Sequence, residues 1–184
     1  PETKNRHRYQ NMDKTYEFEV VFGISTDTHD VMGILNTNEV EKYPINISLL
    51  LNCVVNEFEG KIRQEYPSYS SKTVEGKPLY WWARKERIHE IIIPKKEVNI
   101  YSLNFVETRE IKLSDLVAEI EQKISLTTGD FRQKKIIAKW KALEENQPES
   151  VLFVATFIAK CSSGTYIRSL ADRIGKKLDV GAIA

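Results

Sequence analysis

The chain has 184 residues, 41% of them hydrophobic and 29% charged, with eight glycines and six prolines, a composition that suits one globular domain with a sizeable core. The formal net charge is +1, two cysteines are too few for a disulfide framework, and three scattered histidines lack metal-ligand spacing. No run of about 18 apolar residues occurs and the opening PETKNRHRYQ is polar, so neither a membrane helix nor a signal peptide is expected, and a reduced, cytoplasmic compartment is.

Residues 16–22, YEFEVVF, alternate in character and are rich in aromatic and β-branched side chains, which predicts a strand ended by Gly23. The polar STDTHD that follows reads as a loop. Over residues 46–60, Ile47, Leu50, Leu51, Val54, Val55 and Phe58 recur at helical spacing, and Gly60 is a natural stop. QEYPSYSSKTVEGKPL reads as a loop and leads into the aromatic run YWWARKER. Residues 91–93 and 98–106 read as strands parted by a turn at PKK. Residues 113–124 and 131–145 read as amphipathic helices, the second basic early on (RQKKIIAKWK). A strand over 151–161 and a helix over 165–178, with Ile167, Leu170, Ala171, Ile174 and Leu178 on one side, complete the chain. Mixed elements in irregular order, without a repeat, predict an α+β domain.

The small net charge conceals an uneven layout. Residues 61–100 carry nine Lys/Arg against five Asp/Glu, and residues 151–184 carry five against two. Two basic blocks suit a nucleic-acid groove as well as ordinary solvated faces. The second block holds AKCSSGTYIRSLADRIG, in which a small-residue turn, Ser162 to Gly164, precedes a helix with Arg168 in its first turn. A helix N-terminus already carries partial positive charge and mildly opposes a basic residue. Two readings stand: Asp172 at i+4 is a local mate, or Arg168 and the helix end together hold an anion, either a carboxylate or a phosphate.

The company of that motif is specific. DKTYEFEVVFGISTDTHDVMG, YPSYSSKTVEGKPLYWWAR and AKCSSGTYIRSLADRIG, in that order, resemble the K-x-Y, T-D-T-x-D-x-x-G, P-x-Y-S-x-x-K-x-x-G-x-x-L-Y-x-x-A-R and C-S-x-G-T-Y-I-R blocks of the bacterial TruB-type family, which converts uridine 55 of the tRNA TΨC loop to pseudouridine. The resemblance spans nearly the whole chain except about 110–150. It implies a mixed, largely antiparallel sheet with flanking helices, incomplete here, and an isomerase that needs no cofactor and no metal. The implied partner is the TΨC stem-loop of tRNA, met by a monomer without a protein partner.

Residue by residue, the resemblance implies that Arg168 pairs with the catalytic aspartate, that Tyr16 stacks on the target uracil, and that Tyr166 lines the pocket. It implies an RNA-binding cleft bordered by the loop bearing Asp27 and Thr28 and by Ser163 and Gly164. A basic, aromatic insertion over about 68–93 brings Tyr69, Lys72, Lys77, Tyr80 and Arg84 to the RNA. The nucleophile itself belongs to a G-H-x-G-x-L-D-P motif that this sequence lacks. Asp27, Asp30 and Asp130 have the wrong surroundings to replace it, so truncation is expected and the polypeptide as given is expected to be inactive. Lys72 stands one position before the family's usual lysine, with Thr73 in its place, and YPSY replaces P-P-x-Y. About 110–148 the chain has two helices where the family has a short connection. Past Ala184 the family continues with another strand and a small RNA-binding domain. Two further readings remain: a guide-dependent relative acting on ribosomal RNA, against which GKPLYWWAR speaks, and an RNA-binding or RNA-folding module that has lost its nucleophile.

Overall fold

The alternation near the start of the chain becomes β1 (Lys14–Phe22), whose even-numbered side chains Tyr16, Phe18, Val20 and Phe22 point to one sheet face. The structure, a computed structural model, describes residues 10–44 and 46–184. The start of the chain, expected to follow the catalytic motif, lies outside the described residues up to residue 9. β1 pairs along its whole length with β6 (Val151–Cys161), and β6 pairs with β5 (Lys95–Lys112). β2 (Gly60–Glu65) lies outside β5, and the short β7 (Ala182–Ile183) lies outside β1, in the order β2-β5-β6-β1-β7. Every pairing is antiparallel among the described residues, in agreement with the expected fold class.

Both faces of the sheet are covered, by different helices. On the first face, Ala155, Phe157, Ala159 and Cys161 of β6 join the even side of β1 under α1 (Ile47–Val54) and α5 (Ile167–Lys177). On the second face, Val21, Ile111, Leu152, Val154 and Ile183 meet α3 (Leu113–Ser125) and α4 (Gln133–Asn146). Three consecutive buried residues, Val20, Val21 and Phe22, therefore end β1, while Glu17 and Glu19 stay exposed where the second face is open. Residues 66–93 gather round a third, separate cluster of Leu79, Trp82 and Ile91. This lobe holds a small hairpin, β3 (Thr73–Val74) and β4 (Lys77–Pro78), and α2 (Leu79–Arg84). The two turn residues of the hairpin, Glu75 and Gly76, both have positive φ, as a tight hairpin twist requires.

Several expectations need correction. Residues 91–93 are not a strand: a 3-10 turn at Ile88–Glu90 precedes them, and Ile91 packs into the lobe instead. PKK is not a turn, because Lys95 and Lys96 already pair with Glu65 and Gln64 in the sheet. The helix expected over 46–60 tightens to 3-10 form at Val55–Phe58, and Gly60, at φ +93°, opens β2 rather than a loop. The strand expected over 98–106 runs the full 18 residues of β5, with register shifts at Ile100/Ser102 and Phe105/Glu107 that bend it across the sheet.

Trp140, fully buried among Ile120, Ile136 and Leu152, anchors the α3–α4 hairpin to the second face. Replacing it by alanine is expected to destabilise the fold by about 3–5 kcal/mol. The check is a lower denaturant midpoint in equilibrium unfolding.

Candidate active site

The turn from β6 into α5 carries the small residues, but they do not cap the helix. Ser162 Oγ accepts the Asn99 N–H at 2.9 Å, and the Ser163 hydroxyl donates to the Gln10 carbonyl. Gly164, at φ +82°, faces Lys96, whose Nζ donates to the Ser163 carbonyl at 2.7 Å; a Cβ at Gly164 would strike that lysine. The space in front of Gly164, implied to border an RNA-binding cleft, is filled by Lys96. Tyr166 takes the cap position, and buried Gln64 of β2 clasps it from outside the helix. Its Oε1 accepts the Tyr166 N–H at 2.8 Å while its Nε2 donates to the Tyr166 carbonyl at 3.0 Å. One of the unpaired donors at the helix start is met in this way by a distant strand.

Arg168 does not pair along its own helix. Asp172 is taken by His29 Nδ1 at 3.2 Å and by Lys176 Nζ at 2.8 Å. Burial pushes the Asp172 carboxyl up, but the hydrogen bonds from His29 and Lys176 outweigh it and hold the pKa below its ordinary value. The Arg168 guanidinium instead donates from Nη1 to Asp30 Oδ2 at 2.9 Å and from Nη2 to the Tyr69 carbonyl at 3.2 Å. Only 22% of the Arg168 side chain is exposed, against 25% for Asp30. An anion does answer the charge at the helix mouth, and among the described residues it is Asp30, which sequence reasoning set aside. A separation of 138 residues left no spacing from which to read the pair.

The loop that bears Asp30 is rigidly built. Asp30 Oδ1 accepts the Thr28 hydroxyl at 2.6 Å and the Met32 N–H at 3.1 Å, and Asp27 Oδ1 accepts the Ile34 N–H at 2.8 Å. Thr26 and Thr28 are buried, and Gly33 leaves the space they occupy. Asp27, Ile34, Tyr69, Arg84, Asp130 and Arg132 line a cavity of about 440 Å³ where this loop, the lobe and the α3–α4 loop meet. The Tyr69 phenol is pushed up to about 12, first by burial and then by the negative charge of Asp27. Arg84 pairs with Asp130 at 2.5 Å on the rim.

Tyr16 is half-buried on β1, opposite Ala159, on the face that α1 and α5 cover. Burial, and then the nearby Cys161, raises its phenol pKa, so it stays protonated at neutral pH. The Tyr166 ring meets Tyr66 edge-on at 5.8 Å. On the lobe, Lys72 lies over Tyr66 and Lys77 over Trp81, at 5.2 and 5.5 Å from the ring centroids. Trp82 is buried and donates to the Val74 carbonyl, whereas Trp81 and Tyr80 reach the surface. The structure therefore brings Asp27, Tyr69 and Arg84 to one cavity, ties Arg168 to it through Asp30 and the Tyr69 carbonyl, buries Thr28 against Asp30, and sets Lys72, Lys77 and Tyr80 on the lobe. Among the described residues, no group of three or more His, Cys, Asp or Glu is placed to hold a metal ion, and no helix is long and apolar enough to cross a membrane.

Residues 1–129 match the family model described as "TruB family pseudouridylate synthase (N terminal domain)", which makes this antiparallel α+β fold that of a pseudouridine synthase catalytic domain. The chain belongs to the TruB family. It is 34% identical over 170 residues to the tRNA pseudouridine synthase B of Caldanaerobacter subterraneus, which covers 91% of this chain and 43% of that protein. The proteins of the same name from Aquifex aeolicus and Staphylococcus saprophyticus are each 32% identical, over 92% and 98% of this chain and 44% and 46% of theirs. The chain thus spans a little under half the length of the curated relatives it matches.

Proposed function

We propose that this chain is the RNA-facing part of a catalytic domain that isomerises uridine 55 in the TΨC loop of tRNA. The N1–C1′ glycosidic bond of a flipped uridine breaks, the ring turns, and a C5–C1′ bond forms; N1 gains a proton and C5 loses one, so the sum is an isomerisation. The observation that carries the reading is Arg168, held on two sides by Asp30 and Tyr69 and partly buried at the mouth of α5. A guanidinium has five donors, and the two hydrogen bonds described here leave others for a second carboxylate. Arg168 and the helix end would together keep that attacking carboxylate ionised. Tyr16 supplies a protonated aromatic face for the uracil, and Tyr166 borders the pocket. The lobe over residues 68–93 offers phosphate contacts and stacking rings through Lys72, Lys77, Tyr80 and Arg84. The α3–α4 hairpin is an insertion of this chain into that domain.

Because the G-H-x-G-x-L-D-P segment is not in this sequence, the polypeptide as given is proposed to bind RNA without turning it over. The absent motif also favours a second reading, a binding or folding module without a nucleophile. The coding sequence upstream of Pro1 decides between them: the intact motif there supports the enzyme, and a changed aspartate supports the module. For the full gene product, tritium release from tRNA labelled at uridine C5 reports the chemistry directly, and no release from a T-arm substrate would remove the catalytic reading.

Binding of a TΨC stem-loop by the 184-residue chain is expected to weaken steeply with salt. With two or three phosphates neutralised by the lobe, log K should fall with log salt at a slope of roughly −2 to −3. Fluorescence anisotropy at graded ionic strength measures it, and a flat profile would strip the lobe of its assignment.

A further inference from the structure

The α3–α4 loop sends one arginine back into the cleft. Arg132 Nη1 donates to Asp27 Oδ2 at 2.5 Å and to the Tyr69 hydroxyl at 2.7 Å, and Nη2 reaches Asp27 Oδ1 at 3.3 Å. Its guanidinium carbon lies 4.2 Å from the centroid of the Tyr69 ring, within stacking range. Only 19% of the side chain is exposed. Its backbone is held at φ +66°, a left-handed conformation that L-residues seldom adopt, and the loop is tied to keep it there. Asp130 Oδ1 accepts the Arg132 N–H, while Gln133 accepts the Phe131 N–H and donates to the Gly129 carbonyl.

The two groups that Arg132 grips are the two that lead to Arg168. Asp27 sits in the same rigid loop as Asp30, the ion-pair partner of Arg168. Tyr69 offers its ring and hydroxyl to Arg132 and its carbonyl to Arg168. A continuous path results: the α3–α4 loop holds Asp27 and Tyr69, while Arg168 is held by Asp30, three residues along the same loop from Asp27, and by the Tyr69 carbonyl. Arg84 to Asp130 is a second link between lobe and hairpin, but Asp130 is 79% exposed and the solvent-screened pair adds little.

We propose that Arg132 is a positioning residue, through which the α3–α4 hairpin clamps the lobe and the Asp27 loop together and so fixes the guanidinium of Arg168. This rests on the reading of Arg168 given above, but its first test does not need activity. In the 184-residue chain with 15N-labelled arginine, Arg132→Ala is expected to speed solvent exchange of the Arg168 guanidinium by about tenfold and to move the Tyr69 ring resonances, while the melting curve holds. Tyr69→Leu, which breaks the same path from the other side, should speed that exchange as well. Lys139→Ala, on the exposed face of α4, should change neither signal. Arg168 exchange within twofold of the parent in both the Arg132 and the Tyr69 variants would overturn the proposal.

In the full gene product, Arg132→Ala should lower kcat by about tenfold while KM changes little, since a misplaced catalytic neighbour costs rate rather than affinity. The Arg132→Ala/Tyr69→Leu double variant should be no slower than the slower single. A raised KM at unchanged kcat would make Arg132 a phosphate contact and overturn the positioning role. If the parent itself forms no pseudouridine, the functional reading fails, and the exchange measurement still decides the clamp.

Discussion

Replacing Arg168 by alanine in the full gene product is expected to lower the rate of pseudouridine formation by about tenfold or more, with little change in tRNA affinity. The loss follows from charge-assisted hydrogen bonds worth about 1.5–3 kcal/mol, and about 1.4 kcal/mol corresponds to a factor of ten. Arg168 faces inward, bound to Asp30 and to the Tyr69 carbonyl, so a phosphate in solvent is not what it meets first. Its removal should leave the fold standing, because Asp30 Oδ1 keeps the Thr28 hydroxyl and the Met32 N–H. Single-turnover rates at saturating tRNA, set beside binding by filter retention, separate the two effects. Equal losses in rate and affinity would mark Arg168 as a backbone contact.

Tyr16→Leu is expected to reduce turnover by at least about a hundredfold, the usual order for loss of a positioned proton-transfer group, with the protein still folded. The side chain is only half-buried on β1, and leucine keeps most of its contact with the first core. Tyr16→Phe should separate the two parts of the role. If the ring stacks on uracil, phenylalanine retains binding, and whatever rate it loses belongs to the hydroxyl. Circular dichroism melts alongside the rates guard the interpretation: a melted Tyr16→Leu protein would make the residue part of the core instead.

Much of the fold was legible because it rests on local periodicity. The alternation of YEFEVVF and the helical spacing in 113–124, 131–145 and 165–178 survive almost unchanged as β1, α3, α4 and α5. The errors fell where a partner decided the outcome. Residues 91–93 have the β-branched content of a strand, but among the described residues they pair with none, and Ile91 packs into the lobe instead. GKIRQE has little strand character of its own and becomes β2 because β5 offers its edge over six residues.

The candidate site divides in the same way. Ordered motifs were enough to place the chain in the TruB family, and the resemblance they carry singled out Arg168, Tyr16, Tyr166 and Tyr69 as candidates. What sequence could not reveal was who meets whom. Asp30 as the partner of Arg168, Gln64 as the clasp on Tyr166, and Arg132 on Tyr69 and Asp27 join positions from 63 to 138 residues apart. Patterns along a chain record which side of an element is buried; ion pairs depend on charges converging from separate elements, and only strand order and the docking of the α3–α4 hairpin bring these together.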